Sequence, residues 1–270
     1  LPDTAVRDAF VNWSRTVGEL ARVPLPTFFQ WLGVLLLLIP ALAWRGWRKE
    51  GGDRLARFWF GMLLALLPLT WWQARWGYFL ALAFAMALPS LLAVFTRKRI
   101  AWALFVLALW PVGLHWKAQF GPGPAGFRAE KRADNLALYD VAQQLKGPRR
   151  LPVAAPWWQS PALAYWSGQP CVAGSSHESL PGTVDVSRFY LCADEAEADA
   201  ILARRRVACV VAYEPERVNA VSAAILGKPA GEGTLGEYLY RRPHSAPAFL
   251  ELAYSNAAFR VFVRPAGIEP

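Results

Sequence analysis

Three short segments carry side chains whose types and spacing suit binding or catalysis. The first is Thr16-Val17-Gly18-Glu19, which places a carboxylate shortly before a long apolar run. A carboxylate beside a membrane surface could bind a divalent cation or a substrate amide. An ordinary solvated loop residue is the alternative. Glu19 is therefore a candidate site residue with a structural alternative.

The second candidate is Arg75, in the short connection 73–76 between two apolar runs. Guanidinium groups make two-pronged contacts with phosphate oxygens. If this connection lies outside the cell, its positive charge runs against the charge bias of membrane proteins, which favours a ligand-binding role. The alternative is an interfacial residue whose charged end reaches the lipid headgroups.

The third candidate is Trp157-Trp158-Gln159, directly after a predicted strand at 151–155. Strand ends in α/β layers are common binding positions. Two adjacent indoles can form an apolar wall with N–H donors, which suits an extended peptide or a sugar. Packing of both rings against the rest of the protein is the alternative, and the sequence leaves the two open.

Other catalytic patterns lack support. None of the three histidines, His115, His177 and His244, has a nucleophile or carboxylate at a spacing that would indicate a catalytic triad. Nothing therefore indicates a Ser/His/Asp hydrolase. Three cysteines, Cys171, Cys192 and Cys209, lie in the second half of the chain, where an oxidising compartment would permit one disulfide. Cys209 stands in an apolar segment and is predicted to be a buried core residue.

Four apolar runs must position the first two candidates. Each approaches the roughly 20 residues that a helix needs to cross a bilayer, and they cover residues 27–44, 58–72, 77–95 and 100–116. Nothing after Trp116 is apolar enough to cross, although 55% of the 270 residues are hydrophobic. The sequence therefore predicts a four-helix membrane region followed by a water-soluble domain.

The basic residues predict the orientation. The net charge is +9, and much of it lies in two short loops, 45–57 and 97–99. Lys and Arg accumulate in cytoplasmic loops, which places residues 1–26, 73–76 and everything after Trp116 on the outer face. Because the basic residues are used in this way, nucleic acid is not a predicted partner.

The outer part alternates helical and strand patterns, which favours a small α/β (α+β) extracytoplasmic domain. Helices are predicted at 134–145, 162–166 and 194–205, and strands at 151–155, 171–173, 207–213, 238–241 and 259–264, with 207–213 central. The predicted organisation is an external loop at 1–26, the membrane region at 27–116, a linker at 117–132 and the outer domain at 133–270.

Taken in order, these features resemble the catalytic subunit of oligosaccharyltransferase, a polytopic glycosyltransferase of the GT-C type. Thr16-Val17-Gly18-Glu19 resembles the family's T-I-x-E or S-V-S-E motif, and Arg75-Trp76 resembles its arginine followed by an aromatic residue. Trp157-Trp158-Gln159-Ser160-Pro161 stands where the family has W-W-D-Y-G. The segment 168–173 is similar to the family's N-R-P-x-x-A turn.

The resemblance implies roles for these residues. Glu19 would help to hold a catalytic divalent metal (Mg²⁺ or Mn²⁺) and the acceptor amide, and Arg75 would contact the diphosphate of a polyprenyl-diphosphate-linked glycan. Trp157, Trp158 and Gln159 would bind the acceptor, a peptide or another molecule. The chain would be a multi-pass protein of the bacterial inner membrane with its C-terminal domain in the periplasm.

Two departures from the family pattern change these expectations. Gln159 replaces the family's aspartate, which removes the charge that strengthens hydrogen bonds to a hydroxyl. The family's metal-binding aspartates belong to an N-terminal half that has no counterpart in these residues. We therefore expect a C-terminal portion that is inactive alone. A non-catalytic membrane-anchored protein that binds peptide or glycan is the alternative.

Overall fold

The computed structural model describes residues 4–48, 51–93, 95, 97–121 and 125–265. By contacts, the chain divides into two units: Val17–Phe127, and Leu1–Thr16 together with Arg128–Pro270. The helices, numbered along the chain, are α1 Thr4–Thr16, α2 Leu25–Leu32, α3 Ile39–Gly46, α4 Arg54–Trp72, α5 Gly77–Leu92, α6 Lys98–Ala108, α7 Trp110–Phe120, α8 Ala125–Gln144, α9 Ser160–Ser167, α10 Leu180–Leu191, α11 Glu195–Arg204, α12 Pro215–Leu226 and α13 Leu235–Arg241. The strands are β1 Val153–Ala154, β2 Cys209–Ala212, β3 Glu251–Ser255 and β4 Arg260–Val263.

The unit of residues 17–127 is helical and built around apolar side chains. By length and composition, three helical stretches among the described residues could cross a membrane: Arg54–Trp72, Ala74–Leu92 and Lys98–Phe120. These correspond to the second, third and fourth predicted runs. Leu42, Leu63, Leu80 and Leu91 are among the fully buried side chains of its core.

The first predicted run is broken. It consists of Leu25–Leu32 and Val34–Gly46, which are bent by 99° where they meet. Gly33 at the break has a φ of +69°, a conformation that favours glycine. A Cβ there would also collide with the Ala108 carbonyl. Counted as one broken span, this pair makes four candidate spans among the described residues, which is the predicted number; counted otherwise, three remain. Hydropathy alone does not register a bend at one glycine.

The other unit packs helices around a four-stranded mixed sheet in the order β1-β2-β4-β3. β1 is parallel to β2, whereas β4 is antiparallel to both β2 and β3. β2 lies inside the sheet and is wholly buried, as predicted for segment 207–213. Cys209 is 1% exposed, which confirms its core position.

Three local predictions differ from the structure, and the first is the strand predicted at 171–173, where Cys171 forms an isolated bridge with Val153. Residues 4–16, interpreted as part of a loop, form α1, which packs on α12 and α10. Residues 238–241, predicted as a strand, belong to α13, whose first turn is capped by Thr234 Oγ1 accepting from Glu237 N. Tyr238 and Tyr240 favour strands by propensity, but the cap and core packing determine a helix. The strand that pairs with β4 is β3.

Helices α10 and α12 had no counterpart in the sequence interpretation. α10 buries small polar residues such as Thr183 and Ser187 together with Val184 and Phe189. A helix buried on most sides lacks the polar stripe that makes a helical period visible. These two helices nevertheless form one wall of the region around Trp157.

Candidate functional site

Within the unit of residues 17–127, the segment after α1 is held against the turn between α4 and α5. Ala74 N donates to Ala21 O at 3.0 Å, and Val23 N donates to Trp71 O at 3.2 Å. Glu19 lies in a 3-10 turn, Gly18–Leu20, and Arg75 in another, Ala74–Trp76. Two backbone hydrogen bonds thus bring together segments that are distant in sequence.

Glu19 and Arg75 line the same cavity, which has a volume of about 350 Å³. The other lining residues are Gly18, Trp31, Ala74, Gly77, Tyr78 and Ala81. A volume of this size is in the lower range of small-ligand sites. The wall combines one carboxylate, one guanidinium and two aromatic rings, a composition suited to a ligand with both anionic and apolar parts.

The two charged groups of this cavity do not neutralise each other. Among the described residues, neither Glu19 nor Arg75 forms an ion pair within 4.0 Å, and both side chains are exposed. Arg75 Nε donates to Gln73 Oε1 at 3.0 Å, which orients the guanidinium. The planar group is therefore held at one edge while its terminal nitrogens remain suited to phosphate oxygens.

The described residues do not form a complete metal site. No group of three or more His, Cys, Asp or Glu side chains in the described part of the chain is arranged to hold a metal ion. Asp53, the other described carboxylate of residues 17–127, caps α4 through Leu55 N and Ala56 N and pairs with Arg45 at 3.1 Å. Glu19 can thus supply one carboxylate, fewer ligands than Mg²⁺ or Mn²⁺ requires.

Trp157, Trp158 and Gln159 belong to the other unit, between β1 and α9. The chain leaves β1, passes Ala155 and Pro156, and turns so that Gln159 N donates to Pro156 O at 2.9 Å. Both indoles are half-buried and meet edge to face, with ring centroids 6.0 Å apart. Gln159 is 7% exposed.

Each of these three residues has a buried polar atom without a hydrogen-bond partner among the described residues. These atoms are the indole nitrogens of Trp157 and Trp158 and the Oε1 atom of Gln159. A buried polar group left unpaired costs about 1–3 kcal/mol. Three such groups in succession leave this segment with unmet hydrogen bonds, and all three atoms are buried.

Two neighbours of this segment were not identified from sequence. Trp13 of α1 meets Trp157 edge to face at 5.8 Å, and the guanidinium of Arg217, at the start of α12, lies 5.3 Å from the Trp158 ring centroid. No local pattern indicates either contact, because the residues come from three distant parts of the chain. They extend the aromatic pair into a row of three indoles that ends at a cation.

The cysteines of this unit are not poised as nucleophiles. Burial raises the pKa of both Cys171 and Cys209 to about 11, which keeps their thiols protonated at neutral pH. All three cysteines are free.

The pKa of Tyr213 is raised to about 12, first by burial and then by Asp134, whose Oδ2 accepts from the tyrosine hydroxyl at 2.9 Å.

Comparisons with known proteins give one distant structural match to report. No protein-family model matches the sequence, and no curated protein matches it. Among solved structures, the C-terminal globular domain of an oligosaccharyltransferase from Archaeoglobus fulgidus aligns with 48% of this chain and 94% of that domain. The identity is 16% and the TM-score 0.37, which is too distant to establish a shared family.

Proposed function

We propose that this chain contributes donor-binding and acceptor-binding parts to a membrane glycosyltransferase similar to oligosaccharyltransferase. The reaction would move a glycan from a polyprenyl-diphosphate carrier to a protein or another acceptor on the outer membrane face. The observation that carries the proposal is the shared cavity of Glu19 and Arg75. Both residues also stand in the two motifs that prompted the family resemblance.

Arg75 would bind the diphosphate of the carrier. Negative charge grows on the diphosphate as its bond to the sugar breaks, and an oriented guanidinium stabilises that charge. The contact of Arg75 Nε with Gln73 Oε1 supports such orientation, since the side chain loses less freedom on binding. Trp31 and Tyr78 supply apolar walls for the carbon chain or a sugar face next to the diphosphate.

Glu19 would act on the acceptor side of the same cavity. An ionised carboxylate accepts hydrogen bonds and could hold an acceptor N–H group. A divalent cation, Mg²⁺ or Mn²⁺, belongs to the proposal as a cofactor with Glu19 as one ligand, its other ligands coming from outside the described residues.

Trp157, Trp158 and Gln159 would bind the acceptor. Their half-exposed indole rings would stack on a sugar or a peptide group, and the buried N–H groups and amide oxygen would hydrogen-bond a ligand only if its binding exposed them. Because Gln159 is neutral, its hydrogen bonds would be weaker than those of a carboxylate. The proposed acceptor is therefore a peptide or another molecule that needs no charged partner at position 159.

The paired indoles of the outer unit also support a second candidate function. A non-catalytic membrane-anchored protein needs no metal, and its outer domain could bind peptide or glycan through the same indoles. The two candidates differ in whether any glycan is transferred.

Mass spectrometry of glycoproteins, glycolipids and carrier-linked glycans in cells with and without the gene tests the proposal. Transfer predicts that one class of glycosylated acceptor disappears in the deletion strain while its carrier-linked glycan accumulates. Reintroducing the wild-type gene should reverse both changes. An unchanged profile would reject the transferase and leave the binding protein.

A further inference from the structure

Arg217 is an exposed cation held over one of the candidate acceptor-binding indoles. Its Cζ atom lies 5.3 Å from the ring centroid of Trp158. It forms no ion pair within 4.0 Å among the described residues. A guanidinium over an aromatic face is attracted by the ring while its N–H groups stay free in its own plane.

The neighbouring charges do not cancel this cation. Glu216, the preceding residue, pairs with Arg241, which also pairs with Glu237 at 3.2 Å. Glu214 is exposed, and both Glu214 and Arg217 act on Tyr213. Asp134 acts on the same tyrosine, so Asp134 and Glu214 are two carboxylates that share this neighbourhood with Arg217.

We propose that Arg217 and Trp158 form a subsite for a carboxylate group of the acceptor. This inference rests on the proposed function, in which Trp157, Trp158 and Gln159 bind the acceptor. Gln159 supplies no negative charge that would repel such a group, and the half-exposed Trp158 ring holds the guanidinium beside it. The guanidinium edge accepts a carboxylate through two parallel hydrogen bonds.

The expected preference for a carboxylate ligand over its neutral isostere is moderate because the site is exposed. Exposed charge pairs contribute little to binding, and two-pronged geometry adds to their contribution. We expect a carboxylate ligand to bind about threefold to tenfold more tightly than its neutral isostere at low salt. High salt should reduce the ratio, because it screens exposed charges.

Binding of two peptides to the full chain in detergent tests the subsite. The peptides, acetyl-Ala-Asp-Ala-amide and acetyl-Ala-Asn-Ala-amide, differ only in a carboxylate and its amide isostere. Wild-type protein should prefer the aspartate peptide, R217Q should lose the preference and R217K should keep part of it. E214Q should strengthen the preference, since it removes one of the two neighbouring carboxylates.

R242Q is the matched control. Arg242 is another exposed arginine over an aromatic ring, 6.0 Å from the Tyr238 centroid. This variant should bind both peptides like wild type, and melting curves should show that each variant folds. Equal binding of the two peptides, no binding of either, or a preference that survives R217Q would overturn the subsite.

The result is separable from the test of the transferase. Loss of a glycosylated acceptor in the deletion strain together with equal peptide binding would reject only the carboxylate subsite. A charge preference together with an unchanged glycan profile would reject only the transferase.

Discussion

The indole of Trp31 lies directly against Gly77, the first residue of α5. A Cβ added at position 77 would stand 2.5 Å from Cζ3 of that ring. Both residues line the cavity shared by Glu19 and Arg75. The shape of the candidate donor site therefore depends on the absence of a side chain at Gly77.

Replacing Gly77 should deform this cavity. In G77A the added methyl group must displace the rigid Trp31 ring, at a cost of about 1–3 kcal/mol. Thermal unfolding in detergent should show the loss of stability. The control is G61A, inside α4, where a Cβ meets nothing within 4 Å. A wild-type melting temperature in G77A would contradict the close packing.

Arg75 should account for much of the affinity for a prenyl diphosphate. Loss of hydrogen bonds between charged groups should weaken binding of farnesyl diphosphate by R75A about 10- to 100-fold. R75K should recover part of the affinity, and farnesol should bind both proteins alike. R22A is the control, because Arg22 is exposed but does not line the cavity. Equal affinity of R75A and wild type would reject the role.

Glu19 should be needed for transfer but not for donor binding. E19Q keeps the shape of the side chain and removes its charge, so we expect loss of the glycosylated acceptor in cells with near-normal binding of farnesyl diphosphate. E232Q changes an exposed carboxylate of the other unit and should behave as wild type. Unaltered glycan output by E19Q would argue against the mechanism.

Trp13 should support the Trp157 segment by packing. Trp13 is 5% exposed and meets Trp157 edge to face, so W13L should lower the free energy of unfolding by about 1–3 kcal/mol. Denaturant unfolding measures the change. Y165L alters an aromatic side chain that is 84% exposed and should cost almost nothing. Equal stability of W13L and wild type would show that the packing of α1 on Trp157 contributes little to the free energy of unfolding.

Alkaline pH should destabilise the unit that contains Cys209. Its pKa rises from 9.0 to about 11 on folding because of burial, so the folded state holds the thiol proton more tightly than the unfolded state. The stabilisation is complete below pH 9 and is lost as the pH rises towards 11. The free energy of unfolding of wild type should therefore fall more steeply than that of C209A over this range. The same pH dependence in wild type and C209A would show that burial does not raise the pKa of Cys209.

Much of the architecture can be predicted from the sequence because hydropathy and turn residues act locally. The long apolar helices after residue 53 and the buried strand around Cys209 follow from continuous apolar segments. The break at Gly33 and the helical state of Tyr238 and Tyr240 were missed. In these places a single glycine, a threonine cap and core packing outweigh the average properties of the segment.

The sequence by itself determined which residues could bind a phosphate, a cation or an acceptor, because that depends only on side-chain chemistry. Only the tertiary structure decided that Glu19 and Arg75 share a cavity, since two backbone hydrogen bonds between distant segments bring them together. It also placed Trp13 and Arg217 beside Trp157 and Trp158, contacts that require α1 and α12 to pack side by side. Such proximities arise from helix packing over long sequence separations, which no local spacing of residues records.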